Sequence, residues 1–188
     1  MKRFISLVSA VILIFSFASC GSQTKEAATA PGGVPELYVG EGFRTILSTL
    51  MTGNFNIVEK VAVFGRPQTD ESGRVSEPDE RNYALDSYDA LLVLFRSVYT
   101  EEKAEKLIEK CGYYEKDGAL YSNKKAKDEG ASFDISSMKI EVTEKDDKSC
   151  SFNVTVIKTD GSGKQKEKSF RCKAVCENGT WLLEDMYY

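Results

Sequence analysis

FDISSMKIEVTEKDDKSCSFNVTVIKTDGSGKQKEKSFRCKAVCENGTWLLEDMYY, residues 133–188, is the stretch whose reading decides the fold. Its turns set its register. Asn178-Gly179 is a two-residue hairpin turn, since both positions accept φ > 0, and it pairs Cys176 with Trp181 and Ala174 with Leu183. The polar run 159–163 turns residues 150–157 back onto 166–176, which sets Phe152 opposite Phe170 and Cys150 opposite Cys172. Residues 144–148 make the first turn and place Val142 by Phe152 and Ile140 by Val154. Because side chains alternate, Met138, Ile140, Val142, Cys150, Phe152, Val154, Phe170, Cys172, Ala174, Cys176, Trp181 and Leu183 gather on one face. That face demands cover from helices upstream. The expected class is α+β, with helices packed on a curved antiparallel sheet of four or more strands. The same register carries Lys164, Lys166 and Lys168 beyond Phe170, as a hairpin end solvated on both sides.

The covering helices are legible in their spacing. Phe43, Ile46, Leu47, Leu50 and Met51 make one apolar helix face, with Gly53 expected to stop it. Residues 57–64, rich in Val and Ile, read as a strand. Residues 65–82 (GRPQTDESGRVSEPDERN) are polar, hold two prolines and read as a long exposed loop carrying Asp70, Glu71, Glu77, Asp79 and Glu80. Asp86 or Ser87 caps a second helix, with Leu91, Leu94, Phe95, Val98 and Tyr99 on its apolar side. Thr100 caps a third, with Glu101 and Glu102 where the helix dipole favours anions. Ala104, Leu107, Ile108 and Cys111 form its buried face, and Gly112 ends it. A tight hairpin over 113–121 then bends at Asp117-Gly118.

Residues 1–19 read as a lipoprotein signal: Lys2-Arg3, an apolar run to Phe17, then Ala18-Ser19-Cys20-Gly21. Cleavage before Cys20 would leave an acylated cysteine at the start of the mature chain. The apolar run falls short of the roughly 20 residues that span a bilayer, so the expected anchor is lipid, at about 0.8 kcal/mol per buried CH₂. Residues 20–35 are small and polar and serve as a tether; residues 36–188 form one α+β domain. The expected location is extracytoplasmic, on a bacterial membrane.

Removing residues 1–19 takes away two of the 25 basic residues and none of the 29 acids, which leaves a net charge of −6. Nucleic acid is therefore not an expected partner. Cys172 and Cys176 are about 13 Å apart along one strand and do not bond each other. The register favours a Cys150–Cys172 bridge, leaving Cys111 for Cys176; buried thiols are the alternative. A zinc site is disfavoured because no C-x-x-C pair occurs.

The chain contains no histidine. Cys-His and Ser-His-Asp nucleophilic catalysis and most metal sites are excluded at once. A carboxylate pair of the glycosidase kind is the remaining route, but nearly all Asp and Glu fall in polar loops or on helix faces, where solvation explains them. No enzymatic activity, metal or cofactor is expected. Tyr113, Tyr114, Tyr121, Tyr187 and Tyr188 read as a sugar or peptide platform or, more simply, as cross-strand pairs at the core rim. Lys164, Lys166 and Lys168, with Lys124, Lys125 and Lys127, read as a polyanion contact or a solvated hairpin.

One order of motifs is informative beyond chemistry. Tyr83, then Ser87-Tyr88-Asp89, Leu94, Val98-Tyr99-Thr100-Glu101-Glu102, Ala104 and Leu107 are followed by Asp117-Gly118-Ala119-Leu120-Tyr121 and a closing Glu177-Asn178-Gly179-Thr180-Trp181-Leu182-Leu183. This resembles the IseA family, exported inhibitors of the DL-endopeptidases that trim peptidoglycan. The resemblance implies an α+β fold, with helices on a curved sheet, and non-covalent blockage of an NlpC/P60-type cysteine peptidase cleft; the chain itself is expected to be a monomer. A lipid anchor departs from that family's secreted pattern. The expected function is thus a membrane-anchored peptidase inhibitor acting through a loop near 68–81. A binding module of the nuclear-transport-factor type, enclosing a small ligand between helices and sheet, is the alternative.

Overall fold

Residues 132–183 form the expected antiparallel meander: β3 (Ser132–Lys145), β4 (Ser149–Thr159), β5 (Gln165–Glu177) and β6 (Thr180–Leu183), hydrogen-bonded in the order β3-β4-β5-β6. The computed structural model describes residues 39–75, 85 and 87–188. Ahead of the sheet come α1 (Glu41–Ile57), a π-helical turn (Val58–Ala62), α2 (Tyr88–Arg96), α3 (Glu101–Lys110) and a separate hairpin, β1 (Tyr113–Lys116) with β2 (Ala119–Ser122). The fold is α+β. The signal, Cys20 and the tether lie outside the described residues, as do Glu77, Asp79 and Glu80.

Two of the three derived registers hold. Val142 pairs with Phe152 and Ile140 with Val154, while Cys176 pairs with Trp181 and Ala174 with Leu183. Between β4 and β5 the register is shifted by two: Phe152 faces Cys172, Cys150 faces Ala174, and Val154 faces Phe170. The cause is the turn, which spans Asp160 to Lys164 because the Asp160 carboxylate accepts from the Ser162 and Lys164 N–H groups at 3.0 and 2.9 Å. An even shift keeps each side chain on its face. Cys150, Phe152, Val154, Cys172 and Ala174 are accordingly buried together. Two bulges interrupt β3, between Asp134 and Lys139 and between Val142 and Glu144.

The shift removes the geometric ground for a Cys150–Cys172 bridge. Cys111, Cys150 and Cys172 are buried thiols, and Cys176 is likewise not part of a disulfide. Burial pushes the Cys172 thiol up to about 12 and the Cys150 thiol up to about 11, so neither is a nucleophile near neutral pH.

Helix α1 lies on the sheet and outruns its expected end. Gly53 sits inside it, where an added Cβ would stand 2.6 Å from Val98 Cγ2. Its glycine permits a close approach rather than a stop. Residues 57–62 are the end of α1 and a π-turn, and 63–64 a bend, instead of a strand: Ile57, Val58, Val61, Ala62, Val63 and Phe64 are all buried, a pattern without the alternation of a half-buried strand. Phe55 stacks on Phe133 with centroids 4.3 Å apart, and Phe170 meets both from β5. Asn54, fully buried, accepts from Tyr99 Oη at 3.0 Å and from the Tyr187 N–H at 2.9 Å, and donates to the Tyr187 carbonyl at 2.7 Å.

Ser87 caps α2 by accepting from the Ala90 N–H at 3.2 Å. Thr100 occupies the cap of α3 through its carbonyl, with no side-chain bond. Between these helices Tyr99 bridges Leu183 in parallel and so covers part of the β6 edge.

Candidate functional site

The expected long exposed loop is found over its described residues 65–75, where it is braced at its base and tip. After the π-turn, Arg66 donates to the Ala62 carbonyl and to Ser122 Oγ, each at 2.6 Å, and its guanidinium lies 4.5 Å from the centre of the Tyr113 ring. Tyr113 donates to the Val61 carbonyl at 2.7 Å. Burial, opposed by Arg66, pushes its phenol well above the ordinary range. This clamp fixes the point where the chain leaves the core.

The chain then folds back on itself and joins the β1–β2 hairpin. Thr69 bridges Val75, the Val75 N–H donates to the Leu120 carbonyl, and the Ser122 N–H donates to the Gly73 carbonyl, both at 2.8 Å. Residues 73–75 thus lie along β2 through a single antiparallel bridge, Arg74 to Tyr121. At the tip the Asp70 carboxylate accepts from Ser72 Oγ, the Ser72 N–H and the Arg74 N–H at 2.6, 2.8 and 3.1 Å. The Ser72 hydroxyl, more than the other contacts, holds its carboxyl below the usual range. Asp70 therefore builds the arm, and Glu71 is the exposed charge at its end. Gly73, at φ +85°, meets a turn geometry that side chains rarely adopt, and its Cβ position would sit 3.1 Å from the Ser122 carbonyl.

The sequence does carry a signal for this arm, in a repeat that composition alone does not bring out. Asp70-Glu71-Ser72-Gly73-Arg74 repeats the pattern of Asp160-Gly161-Ser162-Gly163-Lys164, the β4–β5 turn, down to the positive φ of Gly73 and Gly163.

The tyrosines divide. Tyr113 is buried in the core; Tyr114 and Tyr121 stack across β1–β2 with centroids 5.5 Å apart, and Tyr114 is 40% exposed. Tyr187 is anchored on Asn54 and Tyr188 is exposed. The lysines divide as well. Lys124 is used at the end of α3, its amino group donating to the Lys110 carbonyl. Lys164, Lys166, Lys125 and Lys127 are exposed or partly so, and Lys168 is half-buried.

The acids are turn builders. Asp128 and Asp146, like Asp70 and Asp160, are held below the usual carboxylate range mainly by hydrogen bonds from N–H and hydroxyl groups. Such groups stay anionic and make poor general acids. Glu59 is the exception: burial raises it, while a bond from the Phe133 N–H opposes the rise. Among the described residues no group of three or more Cys, Asp or Glu could hold a metal ion. A hollow of roughly 310 Å³ beside the α2–α3 junction is lined by Arg96, Tyr99, Glu101, Glu177, Asn178, Thr180 and Leu182, but Arg96 is already paired with Glu101 at 2.9 Å and Glu105 at 3.2 Å.

The sequence model of the IseA DL-endopeptidase inhibitor family matches residues 77–187, from before α2 to past β6. The chain belongs to that family, which implies an inhibitor of DL-endopeptidases and a peptidase as partner. No curated protein matches it significantly.

Proposed function

We propose that this chain is an extracytoplasmic lipoprotein, anchored to the bacterial membrane through Cys20, that blocks NlpC/P60-type peptidoglycan endopeptidases without covalent chemistry. Family membership over residues 77–187 is the observation that carries the reading. The absence of histidine leaves no ordinary nucleophile–base pair and supports it. The inhibitory element is the loop near 68–81, whose first half is a braced arm with an acidic tip and whose sequence continues with Glu77, Asp79 and Glu80. An arm already folded loses little freedom on docking.

Three measurements test this. Purified chain added to an NlpC/P60 peptidase with a wall substrate slows hydrolysis at micromolar concentration; undiminished turnover would sink the proposal. Deleting residues 68–81 raises the inhibition constant and leaves the circular dichroism of the sheet in place. For the anchor, Cys20→Ser releases the protein into the medium, whereas retention on the membrane fraction would argue against lipidation. A ligand-enclosing module gains no support from the helix–sheet interface, which Leu47, Met51, Phe55, Phe152 and Val154 fill.

A further inference from the structure

Arg74, Tyr121 and Tyr114 stand in register: Arg74 of the arm bridges Tyr121 of β2, which pairs with Tyr114 of β1. Paired residues of an antiparallel sheet project to the same side, and Lys116, two residues beyond Tyr114, shares that side. Its Nζ sits 5.9 Å from the Tyr121 ring centre. The opposite side of this small sheet is core: Tyr113, Leu120 and Ser122 are buried. One side is thus spent on folding. The other displays two stacked aromatic rings between two cations.

We propose that Arg74, Tyr121, Tyr114 and Lys116 form a second contact on the inhibited peptidase, gripping an acidic rim beside the cleft that the loop enters. This rests on the inhibitor reading and extends it. Three observations select the occupant. The row is continuous with the loop, because Arg74 belongs to the arm itself, so a partner that receives the arm meets the tyrosines next. Its chemistry matches interface anchors, where Tyr and Arg contribute most of the binding energy. Its charge is complementary to carboxylates, since Arg74 and Lys116 flank the rings, whereas the loop beyond is acidic. Cross-strand stacking alone needs no exposure, yet Tyr114 is one of three large apolar side chains left open among the described residues, with Val93 and Tyr188.

The test measures inhibition constants of the full chain against an NlpC/P60 peptidase, with thermal unfolding run in parallel. Tyr114→Ala with Tyr121→Ala should raise the constant by about thirty-fold, the size of an anchor loss. Arg74→Glu with Lys116→Glu, which keeps both rings, should raise it by about ten-fold and leave the melting temperature nearly unchanged. If the tyrosine variant melts early, the charge-reversed variant decides. Wild-type constants in both well-folded variants overturn the proposal while leaving inhibition by the loop intact. No inhibition by the wild-type chain overturns both together. Binding of soluble wall glycan to the isolated inhibitor, lost with the tyrosines while inhibition persists, would reassign the row and overturn its role on the peptidase.

Discussion

Asp70-Glu71-Ser72-Gly73-Arg74 and Asp160-Gly161-Ser162-Gly163-Lys164 make one turn in two settings. In each, the aspartate accepts from the serine hydroxyl, from the serine N–H and from the N–H of the closing basic residue, and its own N–H donates to that residue's carbonyl. The strands that the two turns join are unlike. The second closes a ladder that pairs continuously from Thr159–Gln165 to Ser149–Val175, whereas the first closes a single Thr69–Val75 bridge and then leans on β2. The second positions differ too. Gly161 lies against the backbone, where an added Cβ would stand 2.5 Å from the Glu129 carbonyl, while Glu71 is open to solvent. The same local chemistry thus serves as a scaffold corner in one place and as a display tip in the other.

That contrast can be broken in several ways. Phe55→Ala, which removes the ring stacked on Phe133, should lower global stability by about 3–5 kcal/mol in denaturant unfolding, because the scaffold setting depends on the shared core. Exchanging the second positions comes next. Gly161→Glu should cost about 1–3 kcal/mol, since the new side chain must push residues 128–130 away, while Glu71→Gly should stay within about 0.5 kcal/mol. Equal costs for the two changes would erase the distinction. Arg66→Ala should cost about 1–2 kcal/mol and speed amide exchange at Val75 and Ser122 more than at any β4 position, because it releases the base of the arm.

Acid should act least and most selectively. Both aspartates have folded pKa values below the unfolded one, so their contribution is complete above the ordinary aspartate value and disappears as pH falls through the depressed one. Amide exchange near the lower limit of that window should show residues 72–74 opening before 162–164, which the ladder still holds. Simultaneous opening would mean that the ladder adds nothing to the second turn.

Much of the fold was legible because its signals are local. Asn178-Gly179 and Asp117-Gly118 announce their hairpins through residues at positive φ, and the face of α3 emerges from spacing, whereas α2 ends at Arg96, short of the Val98 and Tyr99 expected on its face. The failures share a physical cause. Residues 57–64 carry strand-forming side chains that mask a helical spacing, with Ile57, Val58, Val61 and Ala62 buried on either side of half-buried Glu59 and exposed Lys60. Gly53 resembles a terminator because its reason, the approach of Val98 from far along the chain, is tertiary. The β4–β5 register slipped because a carboxylate widened the turn. At the candidate site, polarity and prolines announce the long exposed loop; its bracing comes from Arg66 reaching Ser122 and from the Arg74–Tyr121 bridge to β2, neither of which composition records.

Asn54 fastens a helix near the beginning of the described chain to Tyr187, next to its last residue. A chain emerging from the ribosome therefore cannot complete this junction until residue 187 is out, so the last contact of this helix forms after every other element has been made.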